Sequence, residues 1–270
     1  MDISSKGLQS EFIFHNVDAV TTDLGDCLSV RTPENTDYFF GNFLLYPAPP
    51  KLGDYDKWME RFGQAFGDYP AVRHHTFQWL PSEPAEPAAI AEFTDAGFTL
   101  DETSVLQATS VHTDKPDPEG VVFRTIKTDA EWNAVVDAQT RDGFPQIPMD
   151  EYRRYKEESF AKYRKMSEQG LGNWWGAFKG DELAANMGLF FGEGVGRFQA
   201  VGTALEHRRQ GICRAMVNHV SQHGFDTHPG VTLFLWADAH DVARGIYCSV
   251  GYEEIEVLQS VFRPPNVGPS

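Results

Sequence analysis

The chain is short of cysteine, of basic charge and of long apolar runs. Its three cysteines, Cys27, Cys213 and Cys248, are too few and too scattered for a disulfide framework or a Cys-based zinc site, which suits a reducing, cytoplasmic setting. Lysine and arginine total 23 against 39 aspartates and glutamates, a formal net charge of −16. That balance argues against a general nucleic-acid binder, which needs a basic face to neutralise phosphates. The opening MDISSKGLQSEF lacks the apolar core of a signal peptide, and no apolar run approaches a membrane span. His74 and His75 have no HExxH or similar spacing around them, so no metal is expected.

What is present is material for a packed core. Hydrophobic residues make up 41% and aromatics 13% of 270 residues, enough for two modest domains. A Pro- and acid-rich stretch, HTDKPDPEG at 112–120, reads as a linker between domains at 1–111 and 121–263, with a tail at 264–270. After the linker, VVFRTI reads as a strand. Thr128 followed by Glu131 is a capping-box pattern opening a helix whose face carries Trp132, Val135, Val136 and Gln139. A second helix is expected from Met149 to about Gln169. NWWGAFKG, LAANMGLFF and RFQAVGTAL read as hairpin strands. A helix from Ile212, the strand VTLFLWAD, a short helix in DVARGIYCSV and a last strand YEEIEVLQSVFR complete a mixed α/β (α+β) fold with helices on both faces of a mainly antiparallel sheet.

The first half echoes the second. FTDAGFTLDETSVLQ (93–107) resembles YCSVGYEEIEVLQ (247–259), and upstream a strand in DYFFGNFLLYPAPP, a helix in DYDKWMERFGQAF and a strand in VRHHTFQWL follow the same order. Duplication is the preferred reading, with chance similarity of one short segment as the alternative. RTPENTDYFFGNF (31–43) is read either as a hairpin and strand of the core or as a segment closing the acceptor site or pairing the halves.

The most informative stretch is VGTALEHRRQGICRAMV (201–217). A strand delivers the chain into a turn and a helix starts at once, so unpaired N–H groups and the positive helix end form an anion site. Gly211 leaves room for a diphosphate against the backbone, and Arg208, Arg209 and Arg214 add charge that can fork onto phosphate oxygens. There is no Walker loop and no three-glycine dinucleotide fingerprint.

These residues resemble the acyl-CoA N-acyltransferases of the GNAT family. The family turn Arg/Gln-x-x-Gly-x-Gly/Ala is matched by Arg208-Arg209-Gln210-Gly211-Ile212-Cys213, followed by Arg214-Ala215-Met216. Upstream, Val201 to Glu206 stand where the family has Val-x-Val-x-Pro-Glu. Downstream, His240, Ala243, Ile246, Tyr247, Gly251 and Tyr252 occupy the places of Asn-x-x-Ala-x-x-Leu-Tyr-x-x-x-Gly-Phe. The resemblance covers about 121–263. Cys213 in place of a small residue and His240 in place of Asn depart from the pattern.

The resemblance implies tandem acyltransferase-like domains, the first a degenerate copy. It implies acetyl-CoA as cosubstrate, with Val201, Gly202, Thr203, Arg208, Arg209, Gln210, Gly211, Ile212, Cys213, Arg214, His240 and Tyr247 as coenzyme-binding residues. The strand at Val201–Thr203 would splay from its neighbour near Leu235 and Trp236. Tyr247 would protonate the leaving thiolate, whereas an aromatic there would also serve to pack the short helix. Glu206, Asp238 and His240 are the groups near strand ends that could reach an amine; Asp238 and Asp241 are equally explained as helix caps, and Glu206 as a surface acid. Phe144, Tyr152, Tyr155, Trp174 and Trp175 could line the acceptor entrance or belong to the core.

In the first half, Pro49 and Pro50 cannot offer N–H groups to a phosphate, so coenzyme binding in the same manner is not expected there. The expected activity is N-acetyl transfer to a small-molecule primary amine, with overall acidity favouring a cationic acceptor, and with no metal, nucleic acid or membrane partner. A homodimer is compatible with the sequence. The rivals are a non-catalytic acyl-CoA-binding or sensory protein and a purely structural turn.

Overall fold

The computed structural model describes residues 1–112, 114–141, 143–144 and 147–265. Two compact units emerge: Met1–Thr103 with the segment ending at Glu151 and the C-terminal segment from Val257, and Ser104–Phe144 with Tyr152–Glu256. The stretch 112–120 lies within the second unit, and the last strand of the chain is divided between the units. The reason is strand pairing, because Ser260–Arg263 run antiparallel to Gln78–His75. Of the expected tail, 266–270 lie outside the described residues.

The first unit holds α1 (Lys6–Asp18), β1 (Val20–Asp23), β2 (Leu28–Arg31), β3 (Phe43–Tyr46), α2 (Tyr55–Phe66), β4 (His75–Trp79), α3 (Pro87–Asp95) and the start of β5 (Thr99–Ala108). Sheet order runs β1-β2-β3-β4 and then the chain's last strand, β11 (Glu253–Arg263), with only β3–β4 parallel among the first four. Helix α2 buries Trp58, Phe62 and Phe66 at the expected helical spacing. Around them pack Phe77, Trp79, Phe93 and Phe98. Helix α1 had no sequence signature, because the face it buries mixes Leu8 and Phe14 with Ser10, Glu11 and His15. Its start is set by Ser5, whose hydroxyl accepts the Leu8 N–H at 3.1 Å.

Residues 31–43 connect the antiparallel pair β2 and β3, and between the two strands the chain forms a closed loop. Asn42 ties it: its Oδ1 accepts the Thr32 N–H at 2.9 Å, and its Nδ2 donates to the Asn35 and Tyr38 carbonyls at 2.9 and 3.0 Å. A Cβ on Gly41 would stand 2.2 Å from the Tyr38 ring, so only glycine closes the turn.

The second unit holds β6 (Val121–Thr125), α4 (Asp129–Thr140), α5 (Met149–Glu168, from Tyr152 on), β7 (Gly172–Lys179), β8 (Glu182–Phe191), β9 (Val195–Thr203), α6 (Ile212–Thr227), β10 (Thr232–Asp238) and α7 (Ala243–Cys248). Its sheet runs β10-β9-β8-β7-β6, antiparallel throughout except for β9–β10. The capping box at Thr128 is present, with Glu131 reaching back to the Thr128 N–H at 3.0 Å. Residues of α6 such as Met216, Val217 and Val220 pack with Met187, Leu189 and Leu233 in one core.

The internal echo is structural. The order β3-α2-β4-α3-β5 recurs as β9-α6-β10-α7-β11. Both short helices end alike: Phe98 N–H donates to the Phe93 carbonyl at 3.0 Å and Tyr252 N–H to that of Tyr247 at 3.2 Å. Gly97 (φ +85°) and Gly251 (φ +106°) supply the positive φ that this helix ending needs. No described helix is long and apolar enough to cross a membrane. Among the described residues, no group of three or more His, Cys, Asp or Glu is placed to hold a metal ion.

His74 and His75 are core groups. The His74 Nε2 lies 3.2 Å from the Asn42 carbonyl, and the His75 ring packs 4.7 Å from that of Phe62. Burial pushes both imidazoles down to about 4, with the Arg263 charge adding to the effect on His75. The unfolded chain therefore takes up protons near pH 6.5 while the folded chain stays neutral until about 4. Stability should be full above pH 7 and fall as the pH drops from 6.5 to 4, by about 3 kcal/mol for His74 alone. Urea midpoints compared at pH 7.5 and 5.0 check this. A midpoint that does not move would show that both rings titrate normally.

Candidate active site

The site begins with an interruption in the sheet. Strands β9 and β10 pair in parallel only from Val195 to Arg197, opposite Thr232 to Phe234. On the other edge of β9 the register with β8 shifts between Asn186 and Gly188, and Ala200 takes φ +48°, rare for a residue with a side chain. The distortion is held by side chains. Gln139 Nε2 on α4 donates to the Ala200 carbonyl at 2.7 Å and to Asn186 Oδ1 at 2.9 Å. Asn186 Oδ1 also accepts the indole N–H of the buried Trp174 at 3.3 Å. In the sequence Gln139 is one residue of a helix face, and its amide on an otherwise apolar stripe is the signal of this role.

Beyond Arg197 the two strands diverge around a cleft of about 310 Å³, lined on one side by Phe198 to Val201 and on the other by Leu235 to Asp238, with Asp241 and Tyr247 at its wall. Val201, Leu235 and Trp236 are thus brought together as the splayed-strand expectation required. The indole Nε1 of Trp236 is buried with no hydrogen-bond partner among the described residues. Arg197, missed in the sequence, is buried at the cleft wall, its guanidinium 4.2 Å from the centre of the Trp236 ring and donating to the Phe198 carbonyl.

Tyr247 is 3% exposed and lines this cleft. Burial, with the Cys213 and Asp241 groups adding to it, pushes its hydroxyl far above the ordinary tyrosine range, so it keeps its proton. Cys213 packs against the core with its thiol directed to Thr203, and burial pushes it up to about 11. Asp238 lines the cleft and accepts the His240 N–H at 2.8 Å; Asp241 accepts the Ala243 N–H at 3.2 Å. Both carboxylates therefore act in turns while facing the cleft. His240 is exposed.

Glu206 is placed apart from the cleft lining. It is half-exposed and paired with Arg141 at 3.0 Å, and its own backbone N–H and then Arg141 hold its carboxyl below the usual range.

The turn from Arg208 opens α6 with Gly211 as N-cap at φ +78° and no side chain capping it. The arginines do not converge. Arg208 folds back, its Nε donating to the Thr203 carbonyl at 3.1 Å; Arg214 Nη2 donates to the Pro116 carbonyl at 3.0 Å; Arg209 is exposed at φ +60°. Gln210 spans from the Glu206 carbonyl (3.0 Å) to Lys179 (3.5 Å).

A second hollow of about 200 Å³ lies against β8 and β9, lined by Gln139, Arg141, Tyr152, Asn186, Gly202 and Arg208 among others. Of the aromatics expected at an entrance, Tyr152 lines it, and Phe144 stacks on Tyr152 with ring centres 6.3 Å apart. Trp174 and Trp175 do not. They are core residues, Trp174 among Trp132, Phe160 and Tyr163, Trp175 against His219 and His223.

The corresponding place in the first unit is closed. Strands β3 and β4 stay paired to the end of β3, Leu44–Tyr46 with Phe77–Trp79, and the Leu80 N–H bonds the Tyr46 carbonyl at 3.0 Å. Tyr46 stacks on Trp58 at 3.8 Å. At the turn before α2, the Gly53 N–H donates to both Glu92 carboxylate oxygens at 3.0 and 2.9 Å, so a carboxylate of the chain itself meets the backbone there.

Residues 132–252 match a family model described as the acetyltransferase (GNAT) family. Three solved structures resemble the whole chain in fold. A conserved protein of unknown function from Staphylococcus epidermidis ATCC 12228 aligns at a TM-score of 0.71 and 14% identity over 92% of this chain and 94% of its own. A GCN5-related N-acetyltransferase from Kribbella flavida aligns at 0.62 and 16% over 96% and 97%. A tandem GNAT protein from the clavulanic acid biosynthesis pathway aligns at 0.54 and 14% over 94% and 80%. No curated protein matches the sequence.

Replacing Asn186 by leucine would leave the Trp174 indole and the Gln139 amide without their shared acceptor. A loss of about 2–4 kcal/mol is expected in denaturant unfolding; an unchanged stability would remove this pair from the account of the bulge.

Proposed function

We propose that the second unit, whose residues 132–252 match a model of the acetyltransferase (GNAT) family, transfers the acetyl group of acetyl-CoA to a primary amine of a small molecule by direct attack, and that the first unit is a degenerate copy that does not bind the coenzyme. The observation that carries the reading is the divergence of β9 from β10 after Arg197, which leaves strand backbone facing a cleft and not a neighbouring strand. An extended pantetheine arm suits that gap, taking hydrogen bonds from strand backbone at 198–201 as an added strand would. The unpartnered Trp236 indole supports the same reading, since an arm with amide carbonyls supplies the acceptor it lacks. The uncapped start of α6 at Gly211 suits the diphosphate, with Arg209 and Arg214 beside it.

When bound, the coenzyme supplies an activated acetyl thioester, and the residues of the chain do the rest. A backbone N–H near Val201 polarises the acetyl carbonyl as charge develops on its oxygen. The Tyr247 hydroxyl, kept protonated by burial, donates its proton to the departing thiolate. Asp238, which lines the cleft, takes the proton of the amine; Glu206 is held by Arg141 and outside the lining. A non-catalytic acyl-CoA sensor is the second reading, favoured by the turn hydrogen bond that engages Asp238.

Calorimetric titration with acetyl-CoA and with coenzyme A should give one equivalent per chain, and Gly211→Glu should abolish it by setting a negative side chain at a strained φ against the diphosphate. Two equivalents would mean that the first unit binds as well, and none would overturn the proposal. Tyr247→Phe should lower kcat about a hundredfold while acetyl-CoA affinity stays within about twofold; an unchanged kcat would take Tyr247 out of the mechanism. Binding without thiol release across a broad amine panel would favour the sensor.

A further inference from the structure

Among the described residues, the charged side chains that line the hollow against β8 and β9 are opposite in sign to the net charge of the chain. In a protein of net charge −16, two arginines, Arg141 and Arg208, line a space of about 200 Å³ whose other described lining residues are uncharged. A third cation stands behind the wall, Lys156 Nζ, 5.4 Å from the centre of the Tyr152 ring. Among the described carboxylates of the surrounding elements, Asp137 is paired with Arg153 at 2.8 Å and Glu206 with Arg141 itself. The polar amides Gln139 and Asn186 are committed to each other and to the bulge. Among the described residues that line the hollow, the charged side chains are Arg141 and Arg208.

Arg141 is poised to use it. Its Nη1 alone contacts Glu206, at 3.0 and 3.4 Å; among the described residues its Nε and Nη2 carry no hydrogen bond. A guanidinium bonded through one nitrogen keeps the Nε–Nη2 edge, which matches two oxygens of a carboxylate or a phosphate. The hollow and the cleft also share a strand. Ala200 and Val201 line the cleft while Gly202 and Thr203 line the hollow, so the two meet along β9 at the adjacent residues Val201 and Gly202.

We propose that this hollow is the oxyanion subsite of the acceptor: the amine that receives the acyl group also carries a carboxylate or phosphate a few bonds away, held by Arg141 with Arg208 beside it. This rests on the acyl-transfer reading of the cleft. It narrows the acceptor from any small amine to a compact zwitterionic or amino-phosphate molecule, and it replaces the overall acidity of the chain, which favoured a purely cationic amine, with the local charge of the site.

The test separates the two readings. Acetyl-CoA titration is performed first and stands by itself. Inorganic phosphate and acetate are then titrated onto the full chain, with and without saturating coenzyme A, following the backbone amide signals of Gly202 and Thr203 by nuclear magnetic resonance. Saturable shifts with at least one anion are expected on the coenzyme-loaded protein, with the dissociation constant raised at least tenfold in Arg141→Gln. Which anion binds more tightly distinguishes a phosphoryl from a carboxylate acceptor. In turnover, β-alanine should exceed β-alaninamide, or glucosamine 6-phosphate exceed glucosamine, in kcat/KM through a lower KM, and the ratio should collapse in Arg141→Gln. Absence of saturable shifts, or an equal anion affinity in Arg141→Gln, overturns the subsite even if coenzyme binds and acetyl is transferred. Failure of the coenzyme to bind overturns the acyl-transfer reading, while the titration on the unloaded protein still decides whether Arg141 holds an anion.

Discussion

Where β9 leaves β10 after Arg197, a run of backbone N–H and C=O groups loses its sheet partners, and the rest of the site depends on how the fold holds that gap open. Unpaired backbone in a sheet is costly, and strands that close on each other are the easy solution. Here the bulge at Ala200 turns β9 away, and a two-amide clamp of Gln139 and Asn186 fixes the bulge from the α4 side. Trp174, locked in the core beneath, anchors Asn186 in turn. The cleft, the orphaned Trp236 indole and the buried Tyr247 hydroxyl all follow from this one departure from regular pairing.

The first unit shows the alternative outcome of the same element order. With β3 and β4 paired to the end, Tyr46 is free to stack on Trp58, and the space that the second unit leaves open is occupied by aromatic packing. At the following turn Glu92 supplies the negative charge from within the chain. A helix start satisfied by its own carboxylate has little to gain from an external anion. The two halves thus differ less in architecture than in whether a strand pair is allowed to part.

Charge is distributed with similar economy. The excess of acids lies on a surface where it serves solubility, whereas Arg141, Arg208 and Arg197 border the two hollows. The basic turn is not a simple cluster: Arg208 is drawn back to Thr203 and Arg214 to the carbonyls near Pro116, so the turn offers backbone amides first and arginines as a border. Proximity in sequence put three arginines together, and their hydrogen bonds sent them in different directions.

Much of this protein was legible in its sequence because the signals were local. The capping box at Thr128, the aromatic stripe of α2, the glycine at the end of each short helix and the turn opening α6 are each decided within a few residues, by helix-end hydrogen bonds, by periodicity and by the positive φ that glycine accepts. The matching order of elements in the two halves followed from the same signals. Only the tertiary structure decided that the chain's last strand joins β4, that Trp174 and Trp175 are core while Tyr152 lines a hollow, that Glu206 belongs to Arg141, and that Gln139 and Arg197 border the site. Those facts arise from partners distant in the chain, 65 residues for Arg141 and Glu206 and 188 for Arg263 and His75, through strand register and side-chain hydrogen bonds that leave no pattern in the flanking sequence.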